Sequence, residues 1–156
     1  MRTSQHGIDL IKMLEGFRDD IYPDTNGFPT IGYGHKLTKD EQDSGTYDNG
    51  ISEDEAADLL IHDVETAETA VGIYVSVPLN QNQFDALVSW TFNLGSGRLS
   101  TSTLLRRLNA GEYDAVPSEM ARWCKATNKE TGEKYDVDAI KTRRQSEAEL
   151  WSAPIQ

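Results

Sequence analysis

The sequence has little cysteine, few basic residues and no long hydrophobic run. Its 156 residues include one cysteine, Cys124, so the chain cannot form an internal disulfide. No apolar run approaches the roughly 18 residues of a membrane-spanning helix, and we expect no stable membrane insertion. The N-terminal segment is amphipathic, because Asp9 and Lys12 interrupt the apolar core that a signal peptide needs. We therefore expect synthesis in the cytoplasm without a signal peptide.

Basic residues are scarce and unevenly distributed. The chain has 15 Lys and Arg residues and 26 Asp and Glu residues, which gives a net charge of −11. No Lys or Arg occurs between Lys39 and Arg98. Because phosphate backbones are bound by basic surfaces, nucleic acid is excluded as a partner. The three histidines and the scattered acids show no metal-ligand spacing, so we predict no metal and no cofactor.

Helical periodicity and turn residues predict an α+β fold. A first helix over residues 5–14 follows the candidate N-cap Ser4, and a capping box, "SEDE" at 52–55, begins a long helix that ends near residue 72. Pro117 is expected to break or kink the segment in which it lies. A polar loop without apolar periodicity precedes the capping box, and a mobile loop is expected between about 127 and 136. Further helices are predicted at about 81–94, 101–109, 112–126 and 137–151.

These elements predict one domain over residues 1–156, built from two lobes. A small β-containing lobe covers about 15–51. The connecting helix covers about 52–72. A larger helical lobe covers about 73–156 and includes the first helix.

The most informative segment is "EGFRDDIYPDTNGFPTIGYGH", residues 15–35. A two-residue Asn26-Gly27 loop would pair Asp24 with Pro29, whereas a three-residue loop would pair Asp24 with Phe28. Only the three-residue loop places Asp24 and Thr30 on one face of the hairpin. A left-handed glycine at position 27 fits this loop, and we predict it.

Two carboxylates near one cleft are what glycoside hydrolysis requires. One must be protonated to donate to the leaving oxygen, and the other must be ionised, so their environments must differ. Glu15, beside Gly16 and Phe17, is the better candidate for the acid. Asp24 on its open turn is the better candidate for the base, and Thr30 could hold a water by hydrogen bonding.

The spacing Glu-x8-Asp-x5-Thr, formed by Glu15, Asp24 and Thr30, resembles the catalytic triad of the phage lysozymes, the endolysins of glycoside hydrolase family 24. "LIKMLEGFRDDIYPDTNGFPTIGYGH", "VPLNQNQFDALVSWTFNLGSG", "STLLRRLNAGEY" and "RRQSEAELW" are similar to segments of that family. The resemblance implies a lysozyme-like fold, hydrolysis of the β-1,4 bond between N-acetylmuramic acid and N-acetylglucosamine in peptidoglycan, and host-cell lysis as the role of that activity. It implies Glu15 as general acid, Asp24 as the residue that assists the water, Thr30 as the residue that positions it, and inversion at the anomeric carbon.

The resemblance also implies supporting residues. In the family the histidine that matches His35 pairs with an aspartate on the long helix, and Asp63 stands at the corresponding place. We therefore predict a His35–Asp63 ion pair with a structural role. Phe92 and Asn93 are predicted to border the cleft and contact substrate. An equally good interpretation of Asn93 is a helix C-terminal residue before Gly95.

Three alternatives to an endolysin remain open on sequence grounds. A lytic transglycosylase would use one carboxylic acid and no water. A peptidoglycan-binding module would lack turnover, and an injected effector would share the chemistry but differ in delivery. As an endolysin without a signal peptide, the chain would need a holin or another export route to reach the wall in the periplasm. We expect a monomer.

Overall fold

The computed structural model describes residues 1–155, which divide into two compact units. The β unit is Ile8–Glu65, and the helical unit is Met1–Gly7 together with the chain from Thr66 onward. Within residues 1–155 no helix is both long enough and apolar enough to cross a membrane.

The elements in chain order are α1 Gln5–Glu15, β1 Arg18–Pro23, β2 Pro29–Gly32, β3 His35–Lys36, α2 Lys39–Ser44, α3 Glu53–Asp63, α4 Glu65–Tyr74, α5 Gln81–Leu94, α6 Ser96–Thr101, α7 Thr103–Asn109, a 3₁₀ turn Tyr113–Ala115, α8 Val116–Ala121, β4 Lys125–Thr127, β5 Lys134–Asp136 and α9 Asp138–Ser152.

The β unit is built on a three-stranded antiparallel sheet in the order β1-β2-β3. One cluster of apolar side chains packs against this sheet. The buried members are Ile31, Leu37, Ile51 and Ala56, and the partly buried Phe17, Tyr33, Tyr47 and Leu59 pack against them. Aliphatic residues of the second strand and of α3 therefore hold the sheet against a helix.

The helical unit is organised around α5, which packs against α9. Every residue of α5 from Phe84 to Thr91 is buried, so this helix has no solvent face over two turns. One buried polar residue of α5, Ser89, reaches a charged partner on α9. Ser89 Oγ donates to Glu147 Oε2 at 2.6 Å, and Arg144 Nε lies 2.7 Å from Glu147 Oε1. A hydrogen-bonded ion pair thus lies inside the α5–α9 packing.

Several predicted elements differ from the structure. The predicted helix over 52–72 is interrupted at Val64, giving α3 and α4. Ser52 caps α3 by accepting from the Glu55 N–H at 3.1 Å, but its own hydroxyl donates to the Glu55 carboxylate, so the predicted capping box is half formed. The polar loop before it contains α2, which a capping box of Thr38 and Glu41 stabilises.

The predicted helices over 101–109 and 112–126 are wrong at their ends. Ser102 is extended and caps α7 through Leu105 N, so helix α6 ends just before it. Helix α8 covers only 116–121, with Pro117 in its first turn, where a missing N–H costs nothing. The predicted loop at 127–136 is largely an antiparallel hairpin of β4 and β5.

Candidate active site

The turn between β1 and β2 presents Asp24 and Thr30 together. Tyr22 pairs with Thr30 and Pro23 with Pro29, and Asp24 N donates to the Phe28 carbonyl at 2.9 Å. The loop is therefore the three residues 25–27, and Gly27 has a φ of +84°. This confirms the predicted three-residue turn, because a two-residue loop would have reversed the face that Thr30 occupies.

The backbone of this turn holds the Asp24 carboxylate. Asp24 Oδ1 accepts from the N–H of Asn26 at 2.8 Å and of Phe28 at 2.9 Å. Lys36 Nζ lies 3.5 Å from the other oxygen, Oδ2. The Phe28 N–H, helped by Asn26 and Lys36, holds the pKa of Asp24 below its ordinary value of 3.8 despite an opposing effect of desolvation. Asp24 is thus an ionised carboxylate, and no backbone N–H within residues 1–155 donates to its Oδ2.

Thr30 is buried, with 3% of its surface exposed. Its hydroxyl donates to the Phe28 carbonyl at 2.9 Å. A hydroxyl has one proton and two acceptor lone pairs, so Thr30 can only accept from any further partner. A water beside Thr30 would therefore donate one hydrogen to it.

Glu15 is the last residue of α1, which ends as Gly16 N donates to the Lys12 carbonyl at 2.9 Å. The turn between β2 and β3 packs directly on the Glu15 side chain. Gly34 has a φ of +83°, and a Cβ at this position would lie 3.0 Å from Glu15 Oε2. The second glycine of "TIGYGH" therefore leaves room for the Glu15 carboxylate.

Tyr22 is a site residue that the sequence reasoning missed. It pairs with Thr30, and the Arg18 guanidinium lies over its ring, 4.4 Å from the centroid. Burial raises the pKa of Tyr22, and the negative charges of Glu15 and Asp24 add to this rise while Arg18 opposes it. Tyr22 thus lies within electrostatic range of both carboxylates as a protonated phenol. Its position two residues before Asp24, on the same strand face, was the available signal.

His35 lies between two carboxylates of the β unit. Its Nδ1 is 2.8 Å from Asp63 Oδ2, which is the predicted pair, and its Nε2 is 2.9 Å from Glu41 Oε1. The hydrogen bond to Asp63, helped by Glu41 and opposed by burial, raises the pKa of His35 to about 9. Burial acts to raise the pKa of Glu41, but hydrogen bonds from Thr38 N and from His35 outweigh it and lower that pKa. Sequence reasoning missed Glu41, although "TKDE" at 38–41 has capping-box spacing.

Phe92 and Asn93 lie near the end of α5 in the helical unit. Phe92 is half-buried, and Asn93 is exposed with its Oδ1 accepting from Arg144 Nη2 at 2.9 Å. Their contact with substrate stays a prediction. Over the described range 1–155, no three His, Cys, Asp or Glu side chains come together as a metal would require.

Comparison with known proteins finds a family model, related sequences and solved structures that are similar to this chain. The family model described as phage lysozyme matches residues 12–147. The chain is 38% identical over 151 residues to the endolysin of Salmonella phage P22, covering 97% of this chain and 98% of that protein. It is 35% identical over 153 residues to the endolysin of Acyrthosiphon pisum secondary endosymbiont phage 1, covering 98% and 99%. Among solved structures, the muramidase domain of SpmX from Asticaccaulis excentricus matches with a TM-score of 0.88 and 35% identity, covering 98% of this chain and 99% of that one.

Proposed function

The chain belongs to the phage lysozyme family, and from that premise we propose how its residues act in an endolysin. It is a lysozyme-like α+β glycoside hydrolase, a muramidase that cleaves the β-1,4 bond between N-acetylmuramic acid and N-acetylglucosamine in peptidoglycan. Its activity serves host-cell lysis. The assignment of individual residues to that chemistry is our proposal.

The observation that carries the proposal is the state of Asp24 on the hairpin. Two backbone N–H groups occupy Oδ1 and keep the carboxylate ionised. Its Oδ2 has Lys36 Nζ 3.5 Å away and no backbone donor within residues 1–155, so it can receive a proton from water. Thr30 lies on the same strand face with a hydroxyl that can only accept. A water between them would donate one hydrogen to each, which points its lone pair away from both.

Glu15 then acts as the general acid. It gives its proton to the glycosidic oxygen, and the bond from that oxygen to the anomeric carbon of N-acetylmuramic acid breaks. The water attacks the opposite face of the sugar and loses a proton to Asp24 Oδ2. This route gives an inverted product, and it requires about 6.5–9.5 Å between the two carboxyl groups.

Tyr22 supports this arrangement in the proposed mechanism. Its phenol stays protonated beside two carboxylates, so it serves as a donor to substrate or water and not as a base. Phe92 and Asn93 are proposed to contact the sugar. The Asn93 side-chain amide N–H would donate, since its Oδ1 already accepts from Arg144.

The place of action is also a proposal. An endolysin reaches the wall in the periplasm, and we propose that a holin or another export route carries this chain there. We propose that it works as a monomer, since the hairpin face carrying Asp24, Thr30 and Tyr22 and the carboxylate of Glu15 come from one chain.

Product analysis tests the proposal. Purified peptidoglycan digested by the enzyme should yield soluble muropeptides with hydrolysed muramic-acid reducing ends, identified by mass spectrometry. Proton NMR during the first minutes should show the α anomer, which inversion of a β bond produces. Products ending in 1,6-anhydromuramic acid would make the chain a lytic transglycosylase, and wall binding without any released product would make it a binding module.

A further inference from the structure

Four basic side chains converge on one pocket of the helical unit. The pocket has a volume of about 310 Å³, and Arg98, Arg122, Lys125 and Lys134 line it around Trp123. One carboxylate, Glu119, also lines it. Such a concentration of positive charge is unexpected in a chain with a net charge of −11.

The charge of the chain is divided between its two units. The β unit has 4 Lys and Arg residues and 15 Asp and Glu residues, whereas the helical unit has 11 of each. The whole net charge of −11 therefore belongs to the β unit. The helical unit is neutral overall, so a local excess of cations on it can attract an anion.

The β4–β5 hairpin delivers two of the cations. Its register pairs Lys125 with Asp136 and Thr127 with Lys134. Cross-strand partners and residues two apart share a face, so Lys125, Thr127 and Lys134 point to the same side. Together they form one wall of the pocket.

The remaining cations are anchored by groups that leave them able to bind. The Arg98 guanidinium lies over the Trp123 ring, 5.0 Å from its centroid, and Trp123 in turn contacts the fully buried Trp90 edge-on. Arg122 Nη1 lies 2.9 Å from Glu119 Oε2, and Arg107 Nη1 lies 3.2 Å from Glu119 Oε1. Because two guanidinium groups share the Glu119 charge, Arg122 keeps donors for a ligand.

The positive charge of the pocket exceeds its negative partners. Neither Arg98 nor Lys134 has a carboxylate within 4.0 Å among residues 1–155. Lys125 lies 3.4 Å from Asp136, which also pairs with Lys141 at 3.1 Å. Like charges held together repel, and an anion in the pocket would remove that repulsion.

We propose that this pocket binds a phosphate group carried by a sugar. A single carboxylate is satisfied by one guanidinium, whereas four cations and the hydroxyls of Thr103 and Thr127 suit a tetrahedral group with up to two charges. The volume exceeds that of a bare phosphate and leaves space for the attached sugar. Where the chain acts on the wall as proposed above, a phosphate-bearing glycan polymer of the envelope is the source of that group.

Titration with small probes tests the binding itself. The indole N–H signal of Trp123 is followed by NMR at constant ionic strength while glucosamine 6-phosphate, inorganic phosphate, glucosamine or acetate is added. We expect saturable shifts with both phosphates, tighter for the sugar phosphate, and none with glucosamine or acetate. Absence of saturation with glucosamine 6-phosphate, or an equal response to acetate, would overturn the proposal.

Paired variants locate the site. Arg98→Gln/Lys134→Gln removes two exposed charges and should weaken sugar-phosphate binding by about tenfold or more. Arg106→Gln changes an exposed arginine of the same unit that does not line this pocket, and binding should be unchanged. Thermal unfolding verifies that both variants fold. Equal weakening in Arg106→Gln, or none in the double variant, would contradict the assignment.

A sedimentation assay identifies the source of the phosphate. The Glu15→Gln variant, which we expect to hydrolyse peptidoglycan at least about 10²-fold more slowly, is mixed with sacculi before and after hydrofluoric acid strips phosphodiester-linked polymers. We expect the protein to bind stripped sacculi more weakly than untreated sacculi. Once Arg98→Gln/Lys134→Gln is added, binding to the two preparations should be equal. Equal binding to both preparations would overturn the polymer as ligand. Because hydrolysis of peptidoglycan is measured separately, a failure here leaves the muramidase activity intact.

Discussion

At the scale of single residues, the proposed chemistry depends on how a turn controls one carboxylate. Asp24 begins the turn and accepts two of its backbone N–H groups, so the same residue that shapes the loop is kept ionised by it. The sequence indicated Asp24 and Thr30 through turn chemistry. Its signals for Tyr22, two residues before Asp24, and for Glu41, at capping-box spacing from Thr38, were weaker, because the charges around these two residues come together only in the folded chain.

Asp24→Asn should abolish most activity without unfolding the protein. The asparagine side-chain oxygen can still accept hydrogen bonds from Asn26 N and Phe28 N, but asparagine cannot take a proton from water. Turnover should therefore fall about 10²–10⁴-fold. The measurement is the rate of muropeptide release together with the melting temperature. Asp19→Asn, an exposed change on the same strand, serves as control. A mutant rate within a few-fold of wild type would contradict the role of Asp24 as base.

The wild-type pH profile provides a second test of the same residue. Because the pKa of Asp24 lies below 3.8, its ionisation should not limit the rate until the pH falls below that value. An acid limb assigned to Asp24 by comparison with Asp24→Asn, and centred well above pH 4, would contradict the described hydrogen bonding.

His35 should stabilise the β unit through its charge. Its pKa is raised from 6.5 to about 9, so the stabilisation is fully present below pH 6.5 and is lost as the pH rises through about 9. For this half-buried group we expect His35→Gln to lower the free energy of unfolding by about 1–2 kcal/mol at pH 6 and by much less at pH 10. Urea unfolding at both values is the measurement, with His62→Gln, an exposed histidine of the same unit, as control.

An NMR titration verifies the cause of that shift. Asp63→Asn should lower the pKa of His35 from about 9 toward 6.5, because the leading interaction is removed. A His35 titration curve that is the same in wild type and Asp63→Asn would show that the pair does not control the histidine.

At the scale of elements, sequence periodicity predicted what depends on a continuous apolar stripe or a defined turn. Helix α5 and the turn at 25–27 are examples. Helix α2 was not predicted, because it buries no residue and is stabilised by its Thr38 cap. The β4–β5 hairpin was missed because its exposed pattern is polar on both strands. The fold was therefore predictable where burial dictates structure, and unpredictable where capping and short-range pairing do.

The β2–β3 turn should control activity through Gly34. Gly34→Ala would place a methyl group 3.0 Å from Glu15 Oε2 and strain a residue with a φ of +83°, at a cost of about 1–2 kcal/mol. Gly111→Ala is a matched control. The φ of Gly111 is +86°, and a Cβ added there would meet no neighbouring group of the described residues within 4 Å. Both variants should lose similar stability, and only Gly34→Ala should lose activity, by roughly tenfold or more. Equal activity in the two variants would contradict the packing of this turn on Glu15.

At the scale of the whole molecule, the uneven charge of the two units is the feature that links fold and substrate. The unit with the proposed catalytic residues carries the entire negative charge, so it is repelled by an anionic wall. The notion of an acidic enzyme followed from composition. Composition could not predict how the charge is divided between the units or that the helical unit has a basic pocket, because both depend on which residues the fold brings together.

Ionic strength should therefore raise activity on intact sacculi. The Debye length falls from about 30 Å at 0.01 M salt to about 8 Å at 0.15 M, which screens the repulsion. Initial rates on sacculi should increase over this range, whereas rates on a short uncharged glycan should change little. A steady fall in the sacculus rate with salt would mean that attraction, and not repulsion, governs encounter.

The most direct measurement is muropeptide release by wild type and Glu15→Gln, with products identified by mass spectrometry. Glutamine keeps the size of the side chain beside Gly34 but cannot donate the required proton. We expect hydrolysed muramic-acid reducing ends from wild type, and a rate at least about 10²-fold lower from a Glu15→Gln protein that melts at the wild-type temperature. Equal release of the same products by a folded Glu15→Gln variant would contradict it.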